Sequence, residues 1–258
     1  MTATPVPLDI AARDALAELI LSAADDEFVI GFWDSEWTGI APMLEEDVAT
    51  SSIAQDEIGH ARALYELLAE LTDDDPDRIA YGREPADYRH AALLNHARGD
   101  WAFTVARRYL YETADAVRLS ALAHSSYEPL SLLVGKMRRE ETYHLLHADA
   151  WLRRLAEAGP ETRERLVSGL RALWPDAQQV FAPPDAEDEL LRDGLLPRSL
   201  EALHGEWQAQ VRAVIEPIAG ELPEAFPSPD GRTRRTDDFL WLHGEFTSVS
   251  RAEAGAMW

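Results

Sequence analysis

Cysteine is absent from this 258-residue chain, and lysine occurs once, as Lys136. Without a thiol there is no disulfide, no thiolate zinc site, no iron–sulfur cluster and no cysteine nucleophile. Cations are scarce as well. The 24 Lys and Arg face 47 Asp and Glu, for a formal charge of -23. A chain of that sign repels phosphate backbones and anionic lipid, so neither nucleic acid nor a membrane surface is expected as a partner. Apolar runs span only a few residues, and no basic segment precedes an apolar one. The chain is therefore expected to be a soluble, unexported, cytoplasmic protein. β-Branched aliphatics are also few, 20 Val and Ile against 73 Ala and Leu. That balance favours helix over strand, and an all-α fold is expected.

Proline and glycine divide the sequence into long helical blocks. The first runs from about Leu8 to Thr38, with Asp9 or a neighbour as a start signal and Gly39 as the stop. The second spans about Met43 to Leu71 and ends in Thr72-Asp73-Asp74-Asp75-Pro76. Pro76 to Pro85 reads as connection. The third block covers about Asp87 to Ala123, with a bend near Gly99, and the fourth about Pro129 to Ala158. A shorter helix is expected over Glu161 to Trp174, loop over Pro175 to Pro197, and helix again over Leu200 to Ala219. Glu221 to Arg235 reads as irregular, and a last helix is expected over about Thr236 to Ala254. Helices of about thirty residues joined by short turns pack as antiparallel neighbours. The expected architecture is a single domain over residues 1–258. It consists of a four-helix bundle over about 8–158 and a helical C-terminal elaboration over about 160–258.

Two of the long blocks carry Glu-x-x-His. Gln55-Asp56-Glu57-Ile58-Gly59-His60 lies in the second and Glu140-Glu141-Thr142-Tyr143-His144 in the fourth. The i,i+3 spacing puts carboxylate and imidazole on one helix face, where both can meet one metal ion. A single match is weak, since chance gives about one in a chain of this composition. Glu201-Ala202-Leu203-His204 is read as that accident. The arrangement is more specific: Glu27 lies 30 residues before Glu57, and Glu112 lies 29 before Glu141. One glutamate from each of two helices, with Glu-x-x-His from each of two others, is the ligand logic of a carboxylate-bridged di-metal bundle.

Register agrees with that reading. Ile53, Glu57, His60, Leu64 and Leu67 share one stripe, and Met137, Glu141, His144, Ala148 and Trp151 another. Ile20, Glu27 and Ile30 share a face on the first block, as do Val105, Glu112 and Leu119 on the third. Ionised carboxylates in such seams cost several kcal/mol each unless paired. Two remedies are open. Arg108, Arg138 or Arg139 could neutralise the glutamates, or Glu27, Glu57, His60, Glu112, Glu141 and His144 could hold a pair of cations. An oxygen and nitrogen donor set without sulfur suits iron, and then manganese, better than copper(I). His90, His96, His124, His147, His204 and His243 have no partner at ligand spacing and are expected at the surface or in caps. Trp33, Trp37 and Trp101 are expected to pack.

These segments resemble the ferritin-like PaaA/PaaC family of phenylacetyl-CoA epoxidase subunits. The similarity covers most of the chain. It is carried by Gln55-Asp56-Glu57-Ile58-Gly59-His60-Ala61, by Asp26-Glu27-Phe28-Val29 with Glu36-Trp37 and Ala41-Pro42, and by Ser126-Tyr127 with Pro129 followed by Glu140-Glu141 and His144. Length, the run from Tyr143-His144-Leu145 to Trp151-Leu152, Arg154-Leu155, and a final helix closing at Trp258 are similar to the PaaC type. The resemblance implies a ferritin-like bundle with additional C-terminal helices. It also implies an oligomeric complex with a catalytic PaaA-like chain, whose di-iron centre activates dioxygen to epoxidise the aromatic ring. Electrons would come from a separate flavin and iron–sulfur reductase, with neither cofactor in this chain. PaaC-type chains usually have degenerate ligands, whereas all six positions here keep competent side chains. The resemblance thus leaves two roles open: a PaaC-like scaffold with an intact ligand set, or a catalytic di-iron oxygenase acting on an aromatic CoA thioester. The shortage of cations for CoA phosphates favours the first.

Overall fold

Asp9 starts the first helix. Its carboxylate accepts the Ala12 N–H at 2.8 Å, and α1 runs over Ile10–Ser35. The structure, a computed structural model, describes residues 8–228 and 230–252 and contains no strand among them. α2 (Leu44–Thr72) ends at Asp73, whose φ of 56° allows its N–H to bond back to the Ala69 carbonyl. Asp75 then caps a short α3 (Pro76–Tyr81), so the segment expected as plain connection holds one helical turn and a half.

The third long helix is shorter than the sequence suggests. α4 covers Trp101–Leu122, because Gly99 at φ +70° breaks helical geometry and Asp100 accepts the Phe103 N–H at 2.9 Å. The stretch before it carries two 3₁₀ turns, Pro85–Asp87 and Ala92–Asn95, and lies against the bundle. α5 (Glu128–Glu157) follows after a tight turn.

The C-terminal half also departs in places from the sequence reading. α6 (Pro160–Ala177) passes through Pro175, with the Gln178 and Gln179 amides donating to the Trp174 and Pro175 carbonyls. A 3₁₀ turn (Gln178–Phe181) and α7 (Glu187–Arg192) occupy what was expected to be loop. α8 covers Leu200–Ala219 as expected. The last helix is split into α9 (Asp237–Phe246) and α10 (Ser248–Ala252), because Thr247 turns its hydroxyl back to the His243 carbonyl. The expected continuation to Ala254 and the closure at Trp258 lie outside the described residues.

α1 and α2 pack along one another, as do α4 and α5; α2 meets α5, and α6 and α8 cover α4. This is the expected four-helix bundle with helices appended. α1 is buried on nearly every side and carries four fully buried acids, Asp25, Asp26, Glu27 and Asp34. Arginines from distant segments answer three of them. Asp25 accepts from Arg83 and from the Tyr65 hydroxyl at 2.6 Å. Asp26 accepts from Arg118 and from Arg232 at 3.0 Å. Asp34 accepts from Arg108 and lies 3.5 Å from Arg107. A planar fork suits this role, and Arg232 also donates to the carbonyls of Arg89 and Val180. Removing one partner of such a pair costs about 3–5 kcal/mol. Glu27 has no hydrogen-bonded arginine, Arg118 being 3.7 Å away.

α1 and α2 approach closely at Gly31. A β-carbon there would sit 2.8 Å from Ile58 Cγ1 and 3.0 Å from Glu57 Cβ. Gly31→Ala is expected to cost about 1–3 kcal/mol by overpacking. Gly135→Ala, on an exposed stretch of α5 where a β-carbon meets nothing within 4 Å, is expected to stabilise by about 0.5–1 kcal/mol. Thermal unfolding of the two variants checks both signs.

Candidate metal centre

Each long helix brings its glutamate to one level of the bundle, α1 with Glu27, α2 with Glu57, α4 with Glu112 and α5 with Glu141. His60 and His144 lie one turn beyond their partners, as i,i+3 spacing requires. All six are buried. One donor atom each from Glu27, Glu57, His60 and Glu141 lies within 4.8 Å of the other three. The same holds for Glu57, Glu112, Glu141 and His144. Glu57 and Glu141 belong to both groups, in the position a bridging carboxylate takes.

Polar satisfaction follows the same geometry. The Glu27 Oε1 accepts the Tyr111 hydroxyl at 2.8 Å, and the Glu57 Oε1 accepts from Arg108 at 3.2 Å. Arg108 also donates to the Glu112 Oε1. The Nε2 of His60 is 2.7 Å from the Glu140 carboxylate, and that of His144 is 3.3 Å from Asp56. The remaining inward atoms face one another: the His60 Nδ1 lies 3.0 Å from Glu141 Oε1 and 3.4 Å from Glu27 Oε2, the His144 Nδ1 lies 3.3 Å from Glu57 Oε1 and 3.4 Å from Glu141 Oε1, and Glu57 Oε2 and Glu112 Oε2 are buried without a partner. Such orphaned groups cost about 1–3 kcal/mol each, and more when charged. Six converging donors, five of them on side chains anchored through another atom, fit metal ions.

Without metal the cluster holds protons instead. Burial alone would lower His60 and His144, but hydrogen bonding to Glu141, and to Glu27 and Glu57 respectively, outweighs it. Both imidazoles are held at a pKa of about 12. Burial and neighbouring carboxylates push Glu27 well above the usual carboxylate range, and burial does the same for Glu112 against the pull of Arg108. Glu57 and Glu141 move down despite burial, because the imidazoles hydrogen-bond to them.

The ion-pair remedy is also present in part. Arg108 is buried and contacts Glu57 and Glu112, whereas Arg138 and Arg139 are exposed and stand away from the site. Glu201 is exposed and His204 is bonded to Gln178, so the third Glu-x-x-His makes no site. The expectation for the remaining histidines needs correction. His90, His204 and His243 are buried, bonded to Asn95 (3.0 Å), Gln178 (2.7 Å) and the Arg83 carbonyl (3.0 Å). His96 and His147, half-buried, pair with Asp176 and Glu46, and only His124 of the six is exposed. Trp33 and Trp37 pack as expected, donating to the Leu94 carbonyl and to Thr104. Sequence reasoning passed over Tyr111, Asp56 and Glu140. The last two had a signal: each directly precedes a site glutamate, and each crosses to the histidine of the opposite helix.

A family described as phenylacetic acid catabolic protein, PaaA_PaaC, matches residues 5–258. The chain belongs to the PaaA/PaaC family. Over 248 residues it is 26% identical to the C subunit of the 1,2-phenylacetyl-CoA epoxidase of Escherichia coli (strain K12), covering 94% of this chain and 99% of that one. It is also 26% identical over 176 residues to the A subunit of the same organism's epoxidase, covering 67% of this chain and 56% of that one. PaaA/PaaC membership agrees with a helical bundle whose buried Glu and His groups could bind metal. No helix among the described residues is long and apolar enough to cross a membrane.

The acid–base state makes metal and pH interdependent. Because the imidazole pKa values are raised above the ordinary 6.5, their contribution to stability is complete below about pH 6.5 and declines as pH rises towards about 12. Metal ligation needs the same groups without protons. The metal-free protein is therefore expected to lose melting temperature from about pH 6.5 upward, while the increment conferred by Mn²⁺ grows over about pH 6–9. Calorimetry in buffers of different ionisation enthalpy should register proton release on binding. An increment independent of pH would count against these six residues as ligands.

Proposed function

We propose that this chain is the PaaC-type subunit of a cytoplasmic phenylacetyl-CoA 1,2-epoxidase, folded as a single unit and assembled with a catalytic PaaA-like chain. The observation that carries this reading is the end-to-end relationship to the E. coli C subunit, against a partial one to the A subunit. Charge supports the partner role. Two adjacent arginine pairs could meet CoA phosphates, but Arg107 and Arg108 are buried in contact with Asp34, and only Arg138 and Arg139 of these four are exposed. A separate reductase would deliver electrons to the complex.

The ligands in this reading are Glu27, Glu57, His60, Glu112, Glu141 and His144, with Glu57 and Glu141 shared between the ions. The donor set favours iron over manganese. Iron bound there supplies Lewis-acid and redox chemistry. The chain's own residues do the rest. Glu140 and Asp56 hold the imidazole Nε2 atoms, so that Nδ1 faces inward, and Tyr111 fixes the rotamer of Glu27. The apolar seams of α2 and α5 exclude water around them.

Co-expression with a PaaA-type chain, followed by size-exclusion chromatography and turnover of phenylacetyl-CoA with a reductase, tests the proposal. Expected is a stable complex, with turnover only when both chains are present. Turnover by this chain and reductase alone would instead make it the catalytic oxygenase.

A further inference from the structure

The two halves of the centre differ in fixed charge. Around Glu27 the nearby arginines are already used: Arg118 and Arg232 are matched by Asp26 and Asp115. The hydrogen bond to Glu27 comes from the neutral Tyr111 hydroxyl. Around Glu112 the balance is different. Arg107 and Arg108 share the single acid Asp34, and the Arg108 guanidinium donates to both Glu112 and Glu57. One positive charge of this trio is left over, and it lies against the Glu57–Glu112–His144 half. Arginine keeps that charge at every accessible pH. The imidazoles introduce no such difference, since each has one carboxylate on its Nε2, Glu140 for His60 and Asp56 for His144.

We infer that the centre is asymmetric in metal affinity: Glu27, Glu57, His60 and Glu141 take one divalent cation tightly, and Arg108 makes the Glu112–His144 half a weak second site. This inference rests on the reading of the six residues as ligands and adds to it the residue that sets stoichiometry. A buried guanidinium touching two of a site's carboxylates supplies by salt bridge the charge that a second ion would bring, and it repels that ion at short range in a poorly screened interior. In the other half that guanidinium reaches a single ligand, Glu57 through its Oε1, and Arg118, 3.7 Å from Glu27, has its charge matched by Asp26 and Asp115. The inward donor atoms of this tight half, Glu27 Oε2, Glu57 Oε2, Glu141 Oε1 and His60 Nδ1, are buried and close to one another.

Titration of the metal-free full chain with Mn²⁺, followed by calorimetry and low-temperature electron paramagnetic resonance, tests this. Binding to surface carboxylates is subtracted with Glu57→Gln/Glu141→Gln. Expected is one tight ion per chain with an uncoupled six-line signal, and a second at least about 100-fold weaker. Arg108→Gln should bring the second affinity to within about tenfold of the first and produce a spin-coupled signal. Should Arg108→Gln fail to fold, two further variants decide. Glu27→Gln should remove the tight ion, and Glu112→Gln the weak one. Two equivalent ions in the unaltered chain, or equal losses in Glu27→Gln and Glu112→Gln, would overturn the asymmetry while leaving the ligand reading intact. No binding beyond the subtracted surface component would overturn both.

Discussion

Carboxylates taken out of water must meet positive charge, and α1 imposes that demand more severely than any other part of this molecule. It buries Asp25, Asp26, Glu27 and Asp34 among aliphatic and aromatic side chains. Each acid then dictates what must come to it: Arg83, Arg118 and Arg232, and the Arg107–Arg108 pair. Arginine suits these buried positions better than lysine would. A guanidinium can bond a carboxylate and several carbonyls at once, which a compact ammonium does less well in a dry interior. Glu27 is the exception on α1, and it is the one whose free oxygen turns into the metal cluster.

The same arithmetic makes the centre and its surroundings one electrostatic object. The two Glu-x-x-His pairs are held from outside by Asp56 and Glu140, crossed between α2 and α5. The outer acids orient the imidazoles, and the inner ones are left with lone pairs facing each other. Removing water raises the proton affinity of every carboxylate in the group, and the imidazole beside Glu57 reverses that effect while Glu112 stays raised. The lone pairs that hold protons here are the ones a metal ion would need.

Much of this was legible beforehand, for a physical reason. The duplicated spacing Glu27…Glu57…His60 and Glu112…Glu141…His144 survives as geometry because long, regular helices translate sequence distance directly into position. Where the chain is irregular that translation fails. The stretch from Asp87 to Asp100 reads as helix by composition, yet Gly99 at positive φ and the Asp100 cap end any such helix. The backbone there is instead anchored by long-range bonds such as Ala91 N–H to Asp26. Pro175 and Thr247 shift helix ends through local side-chain bonds that no period reveals. The buried histidines His90, His204 and His243 were missed because their partners come from sequence-distant or turn segments. Arg108 was visible as a candidate neutraliser, but that it serves half of the centre depends on Asp34, a helix away.

Arg232 reaches Asp26 across 206 residues of sequence. α1 therefore cannot be fully charge-compensated until the chain has been made past residue 232. During synthesis the emerging bundle holds a helix whose acids still need hydration, and the segment around residue 232 acts as the late closing piece. Closure of the charge network around α1 is thereby coupled to synthesis of that segment. A product lacking that segment would keep α1 packed on α2 but leave Asp26 with Arg118 and the Ala91 N–H in place of its full set of partners.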